Sequence, residues 1–478
     1  MGGIIVRKKK KKSLFSKLTS KGIILSVQLI TSLVFLGYMY ILKIIPVKYY
    51  FVIVIILFLL LLAEMIWITS GARKKRRTGA CSRIFFSKLS SLLLSIMLIV
   101  GSVYASIGNN FISNITSALM QTRVIAVYAM KNGEIKNIED LKGKTIGVEN
   151  KKSVSEITDA LAEIQDKIDK APEKENFDDY AELADALYEG KVDCIVADQS
   201  YLGVLETNHE SFTDETRVVY KMEVQEKLEA VTSKTDVTEN PFIIYLTGID
   251  TYGSVSTISR ADVNLVVCVN PIEKQVLMVS VPRDTQVNLN KNGKMDKITH
   301  SAMYGINETI LTLEDFLDLK VNYYAKTNFS GITNIIDALG GIEVESPYAF
   351  TTLHGNYKIN KGINEMDGDK ALCFVRERYA LPSGDFDRGK NQQRLLMAML
   401  KKAISPKIIT NYNNILAAVE GSFETDMTSD DIKSLINMQL DDMANWDVFN
   451  VQVTGKGEIS YDTYSQKGKK TYITVPDK

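Results

Sequence analysis

Three apolar stretches fall within positions 1–107: Ile23–Ile45, Val47–Thr69 and Leu89–Ile107. The first two are each about 20 residues long, enough to cross a ~30 Å hydrocarbon core. The third is a little more polar but uncharged. Only Pro46 and its neighbours separate the first two, which predicts a tight helical hairpin. A signal peptide needs one apolar core, and no small-residue cleavage site stands out. Beyond residue 108 the pattern changes to short strands alternating with helices. Ser153–Ala171 and Phe177–Tyr188 carry apolar residues at helical spacing, and the run Gly190–Asp198 reads as a strand following a helix. The polar run Thr232–Asn240 stands before an abrupt apolar strand and predicts a linker. The expected organisation is therefore a tail at 1–22, three membrane helices within 23–107, a small α/β accessory domain at 109–234, and a second domain at 241–478.

Composition alone hides this division. The chain has 478 residues and a formal net charge of zero. Positions 1–107 hold 17 Lys or Arg against one acid, Glu64, a surplus of +16. Positions 108–478 hold 40 basic and 56 acidic side chains, −16. Arg7 to Lys12, Lys17 and Lys21 precede the first apolar stretch, and Arg73 to Arg77, Arg83 and Lys88 lie between the second and third. The turn after the first has only Lys43 and Lys48. The positive-inside rule then predicts a multi-pass cell-membrane protein with a cytoplasmic N-terminus and everything after about residue 108 outside the cell. An external domain of charge −16 argues against a nucleic-acid partner. Four widely spaced cysteines without CxxC exclude a zinc ribbon or disulfide framework, and three histidines without HExxH exclude a histidine-rich metal site. Gly143-Lys-Thr145 is no phosphate loop, because position 138 is Ile where that motif needs Gly.

In the second domain, strand Phe242–Leu246 delivers Asp250. Strand Val263–Val269 begins just after Arg260 and Asp262. Asn270-Pro271 turns the chain, and Gln275–Val281 runs back to Pro282-Arg283-Asp284. If the last two strands pair as a hairpin, Asp262 and Arg283 share one sheet edge, and Asp250 reaches it. Ala371–Val375 reads as a short buried strand before Arg376-Glu377-Arg378, which would turn both arginines to one side. After the loop 382–387, a helix sets Arg388 and Gln392 four apart on one face. Arginines suit phosphate through a planar, always charged fork. Asp250 and Asp262 are hard oxygen ligands suited to Mg²⁺ or Mn²⁺. The combination points to a polyanion held with a divalent metal.

Two resemblances attach to these residues. Ile138–Val148 and Leu187–Glu206 resemble pieces of the extracellular solute-binding protein fold, a match too short for a complete two-lobed receptor. In the second domain, Gly248-Ile-Asp250, Arg260-Ala-Asp262, Pro282-Arg283-Asp284, Lys297-Ile-Thr-His300, Asp337 to Gly341, Gly368 to Ala371, Arg376-Glu-Arg378, Asp385-Phe-Asp-Arg388 and Asn391-Gln392-Gln393 together closely resemble the LytR-CpsA-Psr family, from position 248 to position 393. Tyr252, Ala261 and Asn391 depart from its usual Arg, Ser and Arg. Three membrane spans and an accessory domain resemble its capsule-locus branch in Gram-positive bacteria.

The resemblance implies an α/β fold whose catalytic domain is an α-β-α sandwich with a mixed central sheet. It implies a phosphotransferase that passes a polyprenyl-pyrophosphate-linked polysaccharide to peptidoglycan and releases polyprenyl phosphate. On this expectation Asp250 and Asp262 hold Mg²⁺ or Mn²⁺, and Arg260, Arg283, Arg376, Arg378, Arg388 and Gln392 grip pyrophosphate oxygens. Arg260, Arg283 and Asp284 act at the reacting centre, with Asp284 orienting Arg283; the general base is left open between Asp262, Asp284 and a metal-bound alkoxide. Membrane lipid and other capsule-assembly proteins are the expected further partners. Met303, Ile306, Ile310, Leu311 and Leu313 on a helix Ser301–Leu319, with Leu395, Leu396, Met399 and Ile404, are the candidate tunnel lining for the lipid, and His300 is expected to be structural. The competing expectations are a capsule-synthesis regulator or receptor, and a lipid pyrophosphatase on the same site.

Overall fold

The computed structural model describes residues 20–43, 45–78, 82–116, 120–150, 154–168, 170, 172–403, 415–418 and 420–477. The basic run at 7–12, Lys17 and Ile404 lie outside the described residues. The chain forms two compact units, residues 1–113 with 429–444, and residues 114–428 with 445–478.

Among the described residues, the first unit contains three helices long and apolar enough to cross a membrane: α1 (Lys21–Leu42), α2 (Val47–Thr78) and α3 (Ser82–Ile115). They outrun the apolar windows because the flanking basic and small polar residues are themselves helix-compatible. Ser20 caps α1, and Pro46 stands just before α2 as its φ requires. Buried Gln28 of α1 accepts a 2.5 Å hydrogen bond from Ser91 of α3, a polar contact of the kind that joins helices inside a bilayer.

In the second unit, β1 (Met120–Met130), β2 (Thr145–Glu149), β3 (Glu173–Phe177), β4 (Cys194–Asp198) and β5 (Thr216–Lys227) form a sheet of order β3-β2-β4-β1-β5. The strands β2, β3 and β4 are parallel, and β1 runs antiparallel to β4 and β5. Helices α4 (Val154–Lys167) and α5 (Tyr180–Tyr188) pack on it. The α5 helix starts at Tyr180 and not Phe177, because Asp179 accepts hydrogen bonds from the Ala181 and Glu182 amides and ends the extended β3 before it.

A second sheet of order β14-β11-β6-β7-β8-β15 follows, built from β6 (Phe242–Ile249), β7 (Ala261–Asn270), β8 (Gln275–Ser280), β11 (Tyr323–Asn328), β14 (Phe423–Thr425) and β15 (Asp447–Gln452). Short β9 (Gln286–Asn288) and β10 (Met295–Lys297) pair beside it, as do β12 (Ile342–Ser346) and β13 (Gly362–Met366). The central sheet is mixed, since β11 is parallel to β6 and β15 to β8 while β6, β7 and β8 alternate. Alternation along the strands sends Tyr245 and Val266 to one face, against Ile306, Ile310 and Leu313 of α6 (Ile306–Leu317). Leu246, Leu265 and Val267 turn to the other, under Leu396 and Met397 of α9 (Asp385–Ala403). Helices α7 (Phe329–Ala338) and α8 (Gly368–Arg376) complete that side with Leu395 and Met399. The result is α/β, an α-β-α sandwich with a mixed sheet.

Three expectations change here. The segment 371–375 is helical, not a strand. Asp367 accepts from the Lys370 amide at 2.9 Å as N-cap, and the apolar positions 371, 372, 374 and 375 repeat at helical spacing. The helix expected over 301–319 is broken at Gly305, whose φ of 101° no side-chain-bearing residue adopts easily, so α6 begins at Ile306. Met303, Ile306, Ile310 and Leu313 are buried in the core. The polar run 232–240 is packed against the second sheet. Thr232 hydrogen-bonds Asp426 at 2.6 Å, Asn322 donates to the Ser233 carbonyl at 2.5 Å, and Val237 is buried.

Candidate functional site

The site forms where β6 ends and β7 begins. The two strands pair in register up to Gly248 opposite Val263, but Ile249 then faces Ala261, leaving Asp262 as the extra residue of a bulge. A bulge bends its strand and re-aims a side chain, and here it presents a carboxylate at the sheet's end. Beyond it the Asp250 amide donates to the Arg260 carbonyl at 2.9 Å, which closes the intervening loop and sets both side chains on one rim. Arg260 Nη2 lies 2.5 Å from Asp250 Oδ2.

The β7–β8 hairpin brings Arg283 to the same rim. Its Nη1 donates to both oxygens of Asp262, at 2.7 and 2.8 Å. Burial alone would raise the Asp262 carboxyl. Arg283, Arg388 and Arg260 overcome it and hold the group at about 2, so the carboxylate is ionised at neutral pH. Arg283 Nε is buried and makes no hydrogen bond, with Asp284 Oδ1 3.8 Å away. An oxyanion would satisfy it.

Asp284 is almost fully buried and serves two cations besides its neighbour. Lys297 Nζ donates to Oδ1 at 2.9 Å, and Arg378 Nη1 approaches Oδ2 at 4.0 Å. Burial opposes its charge, yet Lys297 and Arg283 hold it below the usual carboxylate range. Arg388, on the first turn of α9, is ion-paired with Asp385, and burial pushes the Asp385 carboxyl up. Gly389 lets α9 come close to the sheet, since a Cβ there would lie 2.7 Å from Ser280 Oγ.

Arg260, Arg283, Arg378 and Arg388 therefore converge with Asp250, Asp262 and Asp284. Arg376 does not join them directly. Its guanidinium stacks 4.3 Å from the Phe329 ring centroid, and Tyr252 packs on the same ring from the side of the Asp250 loop. Gln392 sits half-buried one turn along α9 from Arg388, while its neighbour Gln393 donates to the Met278 and Val451 carbonyls and fixes the helix to the sheet. Glu377, between the two arginines, accepts from the Leu353, Arg378 and Ala380 amides and orders their loop. His300 is buried and bonded to Asp296 at 2.6 Å; burial lowers its pKa, and the pair also ties Ser465 to the core.

Lys297 and Asp385 take part without having been singled out as site residues. Lys297 opens the Lys-Ile-Thr-His motif, and Asp385 stands three residues before Arg388, so both had a local signal. Among the described residues no group of three or more His, Cys, Asp or Glu side chains could enclose a metal. The acids alternate with arginines instead. That donor set fits a cation such as Mg²⁺, which takes one or two protein carboxylates and finds its other ligands on phosphate and water.

Known proteins bear on both parts of the second unit. Residues 113–234 match the model described as NMT1/THI5 like. Residues 205–475 match the LytR_cpsA_psr family model. A curated relative from Enterococcus faecalis, a polyisoprenyl-teichoic acid–peptidoglycan teichoic acid transferase TagU, is 36% identical over 200 residues, covering 41% of this chain and 65% of the relative. The Bacillus cereus protein of the same name is 33% identical over 238 residues, 50% of this chain and 75% of its own. Among solved structures, Bacillus subtilis TagV aligns with 27% identity and a TM-score of 0.42 over 50% of this chain and 92% of its own. With more than half of its length matched by that one family model, the chain belongs to the LytR_cpsA_psr family.

Proposed function

We propose that this protein is a membrane-anchored phosphotransferase that joins a polyprenyl-pyrophosphate-linked glycopolymer to peptidoglycan, with a capsular polysaccharide as the polymer. Support comes from the two TagU relatives, named as transferases of teichoic acid to peptidoglycan. The observation that carries it is the Asp262–Arg283 pair, flanked by Arg260 and Arg388, at the open end of the central sheet.

In the proposed reaction an acceptor hydroxyl on peptidoglycan attacks the sugar-bearing phosphorus. A P–O bond to that hydroxyl forms, the bridging P–O bond of the pyrophosphate breaks, and polyprenyl phosphate leaves with the bridging oxygen. The hydroxyl proton passes to a carboxylate or to solvent. Such transfers ask the protein mainly to position the groups and neutralise phosphate charge. Arg260, Arg283 and Arg388 grip the non-bridging oxygens, and the unbonded Arg283 Nε supplies one ready donor. Lys297 and Asp284 hold Arg378 and Arg283 in line. Asp250 and Asp262 would hold Mg²⁺ or Mn²⁺, which supplies further neutralisation of the pyrophosphate. The prenyl chain lies along the apolar face made by Leu246, Val263, Leu265, Leu396 and Met397, part of which is incompletely buried.

The test supplies the purified full chain with Mg²⁺, a polyprenyl-pyrophosphate saccharide and peptidoglycan. Saccharide bound to peptidoglycan together with polyprenyl phosphate is expected. Release of free sugar phosphate instead would assign the site to a pyrophosphatase, and no turnover, with unchanged wall attachment in cells carrying Asp262→Ala/Arg283→Ala, would reject the transferase.

A further inference from the structure

The loop that carries Asp250 and Arg260 is held by the accessory domain. Thr122 of β1 donates its amide to the Ser256 carbonyl at 2.9 Å and accepts from the Ile258 amide at 2.9 Å, while its hydroxyl meets that of Ser256 at 2.8 Å. Three hydrogen bonds thus clamp the connection between two site residues to a strand of the neighbouring sheet. Met303 of the second domain is buried in the accessory domain's core, and Tyr304 stacks edge-on with Tyr201. The two domains share a packed seam.

At the end of that seam, the one-turn helix Leu202–Leu205 lies against the Arg260 guanidinium. A Cβ built on Gly203 would fall 1.8 Å from Arg260 Nη1, so only glycine permits the approach. Val204 and Leu205 are buried and fix the turn from below. Arg260, in turn, cannot retreat without leaving Asp250.

Between this turn and the C-terminal hairpin β16 (Gly455–Ser460) and β17 (Thr471–Pro476) lies a cavity of about 190 Å³. Its lining includes Gly203 and Thr207 of the accessory domain, the site cations Arg260, Arg283 and Lys297, and Gln466, Lys470 and Tyr472 of the C-terminal segment. Gln466 donates to Thr207 at 2.6 Å and closes the two walls together. Arg260, Arg283 and Lys297 are each matched by a carboxylate, but exposed Lys470 has no ion pair among the described residues. Thr299 Oγ1, buried in the same lining, has no hydrogen-bond partner. The surplus is one positive charge and one hydroxyl, facing a cleft that opens directly beside the phosphate-gripping arginines.

We propose that the accessory domain is a wall of the substrate site, and that the cleft between Gly203 and Lys470 takes an anionic group, a carboxylate or phosphate, on the saccharide next to the pyrophosphate. This rests on the function proposed above. It gives the accessory domain a part in substrate choice: the domain positions Arg260 and encloses the first sugar.

Binding of soluble probes to the full chain in detergent micelles tests it without needing turnover. Glucose 1-phosphate, glucuronate 1-phosphate and glucose 1,6-bisphosphate differ only in the second anionic group. One charge-assisted hydrogen bond predicts that the second or third binds on the order of tenfold more tightly than the first. The two arms separate a carboxylate from a phosphate. Lys470→Gln is expected to erase the preference, and Gly203→Ala to weaken all three probes by displacing Arg260. Because Lys470 is exposed, its replacement leaves folding aside. Equal affinity for the three probes in the wild type, a preference that survives Lys470→Gln, or unchanged binding in Gly203→Ala would overturn the proposal. A chain that shows the preference yet transfers nothing to peptidoglycan would reject the transferase and leave this site standing.

Discussion

At the residue scale, the site is a chain of buried ion pairs whose members depend on one another. Asp262 and Arg283 are each less than one-fifth exposed, so removing either leaves the other charge buried and unpaired, a loss of about 3 kcal/mol or more. Arg283→Ala should therefore lower the thermal midpoint of the full chain as well as abolish activity, and Asp262→Ala/Arg283→Ala should cost less than the two single changes combined. The pH dependence follows from the depressed Asp262 pKa. The unfolded carboxyl titrates near ~3.9, the folded one at about 2. Its contribution, about 2.6 kcal/mol, is present in full above pH ~4 and is lost as pH falls from there through about 2. The stability gap between wild type and Asp262→Asn, measured by denaturant titration, should be constant from pH 7 to about 5 and narrow in that acid window; a gap that widens on acidification would contradict the assignment. Lys297 acts through Asp284. Lys297→Met should cut turnover at least tenfold while Lys297→Arg restores part of it, with little change in thermal midpoint for the Arg variant.

At the scale of elements, backbone devices do the aiming. The bulge at Asp262 turns a strand residue into a site residue, and the Asp367 cap turns 368–376 into a helix that leaves Arg378 beyond its C-terminus, 4.0 Å from Asp284. Loss of such a cap costs about 1 kcal/mol. Asp367→Ala should lower the thermal midpoint of the full chain by a few degrees while leaving membrane insertion unaffected, and an unchanged midpoint would show that α8 is held by packing alone. These devices explain what was legible in sequence. The hairpin joining Asp262 to Arg283 followed from alternating apolar strands around Asn270-Pro271, a purely local pattern. The strand expected at 371–375 failed because so short an apolar run fits either period, and only the capping aspartate separates them. The bulge leaves no mark in sequence, since its register belongs to the pairing of two strands. The Gly203–Arg260 contact was equally invisible. It joins positions far apart in the chain through tertiary packing, and Gly203 looks like any glycine in a surface turn until Arg260 is seen above it.

At the scale of the whole molecule, the zero net charge is the sum of two oppositely charged segments, +16 over positions 1–107 and −16 over positions 108–478. The acidic segment nonetheless gathers its arginines at one point, so that an overall negative domain offers an anion a local positive site. Its three membrane-length helices and the placement of Arg73 to Arg77 predict an odd number of crossings with the site outside. Single cysteines introduced into a background with Cys81, Cys194, Cys268 and Cys373 replaced by Ser can report this directly. Tyr379→Cys, at an exposed side chain beside the site, should react with a membrane-impermeant maleimide in intact cells. Arg77→Cys should react only after permeabilisation. Replacing Arg73, Lys74, Lys75, Arg76 and Arg77 by Gln removes five of the charges predicted to be cytoplasmic, so a fraction of chains should then lose external labelling at 379, because cytoplasmic Lys and Arg close to a span bias its orientation. Labelling of Arg77→Cys in intact cells, with Tyr379→Cys protected, would put the arginine site in the cytoplasm and away from any peptidoglycan acceptor.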